Sequence, residues 1–175
     1  MPAIVVLSGN PRPASKTVSV ATGMAESLSP FLPASSLEVI ELADFGGRVL
    51  DANDPDVADA RARVAEATVL IVASPVYKGS YTGLLKAFMD GYGPFSLDGV
   101  IAVPVIVAGS PEHASLAAHV HLRPLLHEVG AETPLGVFTV LDAEVADPIQ
   151  RAEVISEWRA VRAPLIEAVT AGVKA

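Results

Sequence analysis

The segment Ile4–Thr17, IVVLSGNPRPASKT, joins a short apolar run to a polar loop and to the start of a helix. Its first four residues show no polar alternation, which is typical of a strand buried on both faces of a parallel sheet. Beyond the loop, Val20, Met24 and Leu28 recur on one stripe of a helix. The segment therefore predicts a buried strand, a loop and an amphipathic helix.

The same alternation continues along the chain. We predict further strands at Leu37–Leu42, Val69–Ala73, Val100–Ala108 and Leu135–Leu141, the first of them nearer an edge because glutamates interrupt it. We predict helices at Asp56–Ala67, Thr82–Met89, Ser115–Val129 and Asp147–Val169, with a kink or break at Pro124 and an interruption at Pro164.

Strict strand–helix alternation indicates an α/β fold with helices on both faces of a parallel sheet. Five strands favour a flavodoxin-like doubly wound sheet of order 2-1-3-4-5, in a single domain spanning residues 1–175. In such sheets the ligand lies at the carboxyl ends of the strands, where the strand order reverses. The loops after the first, third and fourth strands are therefore the candidate binding loops.

Composition narrows the class of protein. The 175 residues are 51% hydrophobic and carry a formal net charge of −8, which argues against binding to nucleic acid. The sequence has no cysteine, so disulfides and thiol chemistry are excluded, and the composition fits a cytoplasmic protein. We see no membrane-spanning apolar stretch and no signal peptide.

The first loop, Ser8–Thr17, combines a glycine with hydroxyl, amide and guanidinium groups. A helix N-terminus attracts phosphate through its free N–H groups, and Arg12 adds a forked cationic donor. The alternative is a helix cap by Ser15 or Thr17. We favour phosphate, and because the dinucleotide glycine triplet and the Walker sequence are absent, we expect a mononucleotide phosphate.

The second loop, Ser74–Gly83, reads SPVYKGSYTG after the third strand. Its glycines permit close backbone approach, and Val76 or Tyr77 suits the face of a flat ring. The alternative is a loop that covers the core, with Thr82 capping the next helix. From these residues alone the two interpretations stay open.

The third loop, Gly109–Ser115, contains His113, which is either a ligand contact or a solvated loop residue. We consider pairs of histidines, His113 with His121 and His119 with His127, and we do not predict a metal site because acidic partners at ligand spacing are missing. Two carboxylates after the fifth strand, Asp142 and Glu144, are interpreted as solvated loop charges.

These loops resemble the NAD(P)H-dependent FMN reductase family. Residues 9–17, GNPRPASKT, are similar to its Gly-Ser-x-Arg-x-x-Ser-x-Thr phosphate loop, with Asn10 in place of the usual serine. Residues 74–86, SPVYKGSYTGLLK, resemble its flavin-ring loop and following helix. Similarity continues in residues 109–113, 122–126 and 136–138, and it favours the branch that supplies reduced FMN to two-component sulfonate monooxygenases.

The resemblance implies FMN and NADPH or NADH as ligands, and hydride transfer that needs stacked rings and no catalytic acid or base. It places the phosphate on Asn10, Arg12, Ser15 and Thr17, the isoalloxazine on Pro75, Val76, Tyr77, Lys78, Gly79 and Ser80, and the nicotinamide side at Gly109, Ser110 and His113. It further implies a homodimer or homotetramer and a flavin-dependent monooxygenase as partner. An FMN-retaining quinone or azo-compound reductase and an electron-carrying flavodoxin remain alternatives.

Overall fold

The computed structural model describes residues 4–32 and 36–172. Its sheet has five strands, all parallel, in the order β2-β1-β3-β4-β5, which confirms the predicted flavodoxin-like topology. The strands are Ile4–Ser8 (β1), Leu37–Glu41 (β2), Val69–Pro75 (β3), Ile101–Ala108 (β4) and Phe138–Leu141 (β5). β2 is an edge strand, as its glutamates predict.

Helices cover both faces of the sheet and each face has its own core. The helices are Lys16–Leu28 (α1), Pro55–Ala65 (α2), Gly83–Met89 (α3), Pro111–Ser115 (α4), Arg123–Glu128 (α5) and Pro148–Ala171 (α6). α1 and α6 pack on one face, and α2, α3, α4 and α5 pack on the other. Within the described ranges, no helix has the length and apolar character to cross a membrane.

Proline does not break the helix before β5. A π-helical segment, Leu116–Leu122, connects α4 to α5, so the helical backbone continues from Pro111 to Glu128. Pro124 lies in the first turn of α5. The residue before it, Arg123, donates its N–H to the carbonyl of Ala118, which is the last bond of the π-helical segment. Of the two predicted outcomes at Pro124, the break is wrong because the missing N–H falls where π-type bonding changes to α-type bonding, and the kink stays a prediction.

The expected interruption at Pro164 is also wrong, because α6 continues through it. An internal proline costs a helix about 3 kcal/mol. Trp158 before the proline and Ile166 after it are both buried in the same core, and burying two such side chains offsets that cost. Packing on both sides therefore keeps one helix.

The last strand is shorter than predicted and begins at Phe138. Gly136 has a φ of +75°, which turns the chain before the strand. The carbonyl of Leu135 accepts from Nε of Arg162 at 2.8 Å, and that of Val137 accepts from Nε1 of Trp158 at 3.2 Å. The carbonyls before the strand thus accept from side chains of α6, and the pairing with β4 begins at Phe138.

Candidate functional site

The three predicted binding loops meet at the carboxyl end of the sheet. From β1 the chain passes to β2 on one side and later to β3 on the other, so the strand order reverses there. A cavity of about 510 Å³ lies at this place. Its lining residues are Asn10, Arg12, Pro13, Ser15, Lys16, Thr17, Pro75, Val76, Tyr77, Val107, Ala108, Gly109 and Asp142.

A buried threonine connects the first two loops. Oγ1 of Thr82 donates to the carbonyl of Gly9 at 2.5 Å and accepts from the N–H of Leu85 at 3.2 Å, which caps α3. The N–H of Thr82 donates to Oγ of Ser74 at 3.0 Å. Gly9 is needed for close packing, because a Cβ there would lie 2.7 Å from Cβ of Leu85.

The first loop is shaped by its own side chains. Oδ1 of Asn10 accepts from the N–H of Arg12 at 3.0 Å, and Nδ2 of Asn10 donates to Oγ1 of Thr17 at 3.1 Å. Ser15 is the N-cap of α1, because its Oγ accepts from the N–H of Val18. The helix-cap interpretation of Ser15 is thus confirmed. Its hydroxyl hydrogen can still be donated into the cavity that it lines.

Two cations from this loop reach across to other elements. Nη2 of Arg12 donates to the phenol oxygen of Tyr77 at 3.4 Å, on the exposed surface. Nζ of Lys16 lies 3.1 Å from Oδ2 of Asp142 and 3.4 Å from its carbonyl oxygen. Asp142 is an exposed loop residue, as predicted, and its carboxylate also pairs with Lys16. Glu144 is half-buried, and its Oε2 accepts from the N–H of Leu141 at 2.7 Å.

The second loop forms a two-residue hairpin. Tyr77 and Ser80 exchange backbone hydrogen bonds of 2.8 and 3.3 Å. The two residues between them, Lys78 and Gly79, both have positive φ, 53° and 82°, which is the type I′ arrangement. Pro75, Val76 and Tyr77 line the cavity, whereas Lys78, Gly79 and Ser80 are not among its lining residues.

The third loop contributes fewer residues to the lining of the cavity than predicted. Gly109 lines the cavity, and Ser110 and His113 are not among the lining residues. Oγ of Ser110 accepts from the N–H of His113 at 3.4 Å and so caps α4. Hydrogen bonds from the backbone N–H of Glu112 and from the Ser110 hydroxyl lower the pKa of the Glu112 carboxyl. The side chain of Ser110 thus serves the start of this helix.

The cavity brings together eight of the thirteen predicted residues: Asn10, Arg12, Ser15, Thr17, Pro75, Val76, Tyr77 and Gly109. Five lining residues are not among the predicted site residues: Pro13, Lys16, Val107, Ala108 and Asp142. Val107 and Ala108 end β4, so the rule that ligands lie at strand ends already points to them. Asp142 follows β5, and its isolated carboxylate carries no sequence signal.

The lining residues match the two chemical parts of FMN. The wall from the first loop presents hydroxyl, amide, ammonium and guanidinium donors beside the free N–H groups of the α1 N-terminus, as a phosphate requires. The wall from β3 and β4 presents Pro75, Val76, Val107 and Ala108, as a flat aromatic ring requires. The larger cavity between α1 and α6, about 620 Å³, lies away from these strand ends.

Comparisons with known proteins all lead to one family of enzymes. The family model for NADPH-dependent FMN reductase matches residues 2–146. The NADH-dependent FMN reductase SfnF of Pseudomonas fluorescens is 38% identical over 153 residues, which cover 82% of this chain and 79% of that protein. An FMN reductase (NADPH) of Pseudomonas aeruginosa is 37% identical over 145 residues, 77% of this chain and 75% of that protein.

Among solved structures, the apo form of the NADH:FMN oxidoreductase EmoB superposes with a TM-score of 0.77 at 32% identity, covering 92% of this chain and 90% of that one. The family model spans most of the chain, including all three loops around the cavity. The match thus agrees with both the sheet topology and the donor chemistry of the first loop. This chain belongs to the NADPH-dependent FMN reductase family.

Proposed function

We propose that this protein is a cytoplasmic flavin reductase that binds FMN as a substrate at the cavity, reduces it with NADPH or NADH, and releases reduced FMN to a flavin-dependent monooxygenase. The observation that carries the proposal is the pairing of a donor-rich wall with an apolar wall at the point where the strand order reverses. The reductase activity named for the family supports the same assignment.

In this proposal the phosphate lies at the start of α1. Arg12 supplies a forked cationic donor, and Ser15 and Thr17 supply hydroxyl donors. Asn10 keeps the loop in shape through its bonds to Arg12 and Thr17, with its second Nδ2 hydrogen left for the phosphate. The Asn10 side chain therefore replaces the serine of the family pattern without removing a donor.

The isoalloxazine lies along Pro75, Val76 and Tyr77, with backbone of the 77–80 hairpin at its polar edge. Hydride passes from the nicotinamide ring to the flavin ring, and the protein's part is to hold the two rings together. Gly109 leaves room for close approach, since a Cβ there would meet no atom within 4 Å. Ser110 and His113 are proposed to flank the nicotinamide side from the start of α4.

Release of the product is supported by exposure of the site. Arg12 and Gly109 are exposed, and 41% of the Tyr77 surface is accessible. A ligand held by such residues is incompletely enclosed and stays partly in contact with solvent. We therefore favour flavin as a substrate over flavin as a permanently bound group.

We expect the purified protein to be colourless and to oxidise NADPH or NADH only when FMN is added. The measurement is absorbance at the nicotinamide band with and without excess FMN, together with the flavin spectrum of the protein as isolated. Yellow protein that reduces a quinone or an azo dye without added flavin would assign it to the flavin-retaining reductases. Flavin binding without nicotinamide oxidation would indicate an electron carrier.

A homo-oligomer is also proposed, formed through the π-helical segment and the adjacent hairpin. Leu116 and Val120 are 40% and 58% exposed, and Cδ2 of Leu116 lies beside Gly79. Leu122 and Leu126, further along the same helical stretch, are buried in the core and cannot contribute to such a surface. Tyr92 is also unsuited to the interface, because its phenol is engaged within the fold: the hydroxyl donates to the carbonyl of Arg61 at 2.9 Å, and burial raises its pKa.

Replacing Val120 with glutamate is expected to convert the oligomer to monomer, because a carboxylate at the centre of an apolar contact loses hydration without a partner. Light scattering coupled to gel filtration measures the change. The control is Val161→Glu, at an 80% exposed position on α6, which is expected to leave the mass unchanged. A wild-type monomer at working concentration contradicts the proposed assembly.

A further inference from the structure

An ion pair forms part of the wall of the cavity. Nζ of Lys16, at the first residue of α1, lies 3.1 Å from Oδ2 of Asp142, in the loop that follows β5. The N–H of Asp142 donates to the carbonyl of Ala108 at 2.8 Å, so the end of β4 fixes its backbone. The carboxylate thus has a defined place beside the donors of the first loop.

This pair changes which cations can reach a bound phosphate. The lining contains two cations, Arg12 and Lys16, and one carboxylate, Asp142. The guanidinium of Arg12 contacts the phenol oxygen of Tyr77, and within the described residues no carboxylate forms an ion pair with it. Lys16 is bonded to both the carboxylate and the carbonyl of Asp142. A phosphate at the start of α1 therefore competes with Asp142 for Lys16.

We infer that Asp142 is a residue that sets FMN affinity: by holding Lys16 it weakens phosphate binding and so favours release of the flavin. The inference rests on the proposed function, in which FMN is a substrate that must leave. The effect of Asp142 is confined to the phosphate, because the flavin ring is proposed to lie elsewhere, on apolar residues of β3, of β4 and of the loop after β3. Riboflavin, which lacks the phosphate, is therefore an internal reference.

The test is Asp142→Asn, which keeps the size of the side chain and removes its charge. We expect the Kd for FMN, measured by flavin fluorescence titration, to fall about fivefold, the upper range for an exposed ion pair. The Kd for riboflavin should not change. In the Lys16→Met background the same substitution should leave the Kd for FMN unchanged, because no ammonium is then released.

The matched control is Glu153→Gln, which removes one exposed carboxylate from α6 and leaves both affinities as in the wild type. The inference is overturned if Asp142→Asn leaves FMN affinity unchanged, if riboflavin gains equally, or if the gain persists without Lys16. An equal gain in Glu153→Gln also overturns it, because the effect then follows net charge. A wild-type protein that binds no FMN instead refutes the proposed function itself.

Discussion

Arg12→Met is expected to weaken FMN binding by about 10- to 100-fold and to leave riboflavin binding within about twofold of the wild type. A charge-assisted hydrogen bond contributes about 1.5–3 kcal/mol, and each 1.4 kcal/mol is a factor of ten in Kd. The guanidinium of Arg12 lines the cavity and is held only by the Tyr77 phenol among its hydrogen bonds in the described chain. The lost contact is therefore with the phosphate.

Fluorescence titration with both flavins measures this effect, and turnover at limiting FMN should fall in parallel. Arg12→Lys keeps the charge but not the fork, so an intermediate Kd is expected. Arg159→Met, a cation of α6 beside the other cavity, is the control for net charge. Equal losses for FMN and riboflavin would mean that Arg12 supports the loop and not the phosphate.

Much of the fold follows from local patterns. The apolar runs around Ile4, Val69 and Val103 have no polar alternation, which predicts burial on both faces, and five strands alternating with helices predict the strand order. The failures occur where tertiary packing overrides a local rule. Pro164 lies inside α6, which buried neighbours on both sides hold together, whereas Pro124 is accommodated where the π-helical segment passes into α5. Gly136 and two carbonyls bonded to α6 shorten β5.

The candidate site shows the same contrast between residues that a local pattern predicts and residues that depend on distant partners. Residues adjacent to the ends of β1 and β3, such as Arg12 and Val76, are found from the sequence because a strand end positions them directly. Asp142 is not found, because its partner Lys16 is 126 positions away in the chain. Ser110 is predicted to lie beside the ligand, and its hydroxyl also caps α4, since a serine before a Pro-Glu pair fits both roles.

Thr82→Val is expected to lower the free energy of unfolding by about 2–4 kcal/mol and to weaken FMN binding as well. The substitution keeps the shape of the side chain and removes the hydroxyl. The buried carbonyl of Gly9 then loses its donor, and the N–H of Leu85 loses its acceptor. Both groups are left without partners in the core, where each costs about 1–3 kcal/mol.

The binding effect follows from where those groups lie. Gly9 begins the phosphate loop and Thr82 follows the 77–80 hairpin, so one hydroxyl sets the distance between the two walls of the cavity. Denaturant unfolding and FMN titration should both respond, whereas Thr82→Ser, which keeps the hydroxyl, should restore most of each. Thr139→Val, at an exposed position of β5, is the matched control. Lost stability with unchanged FMN affinity would show that the two loops are positioned independently of this bond.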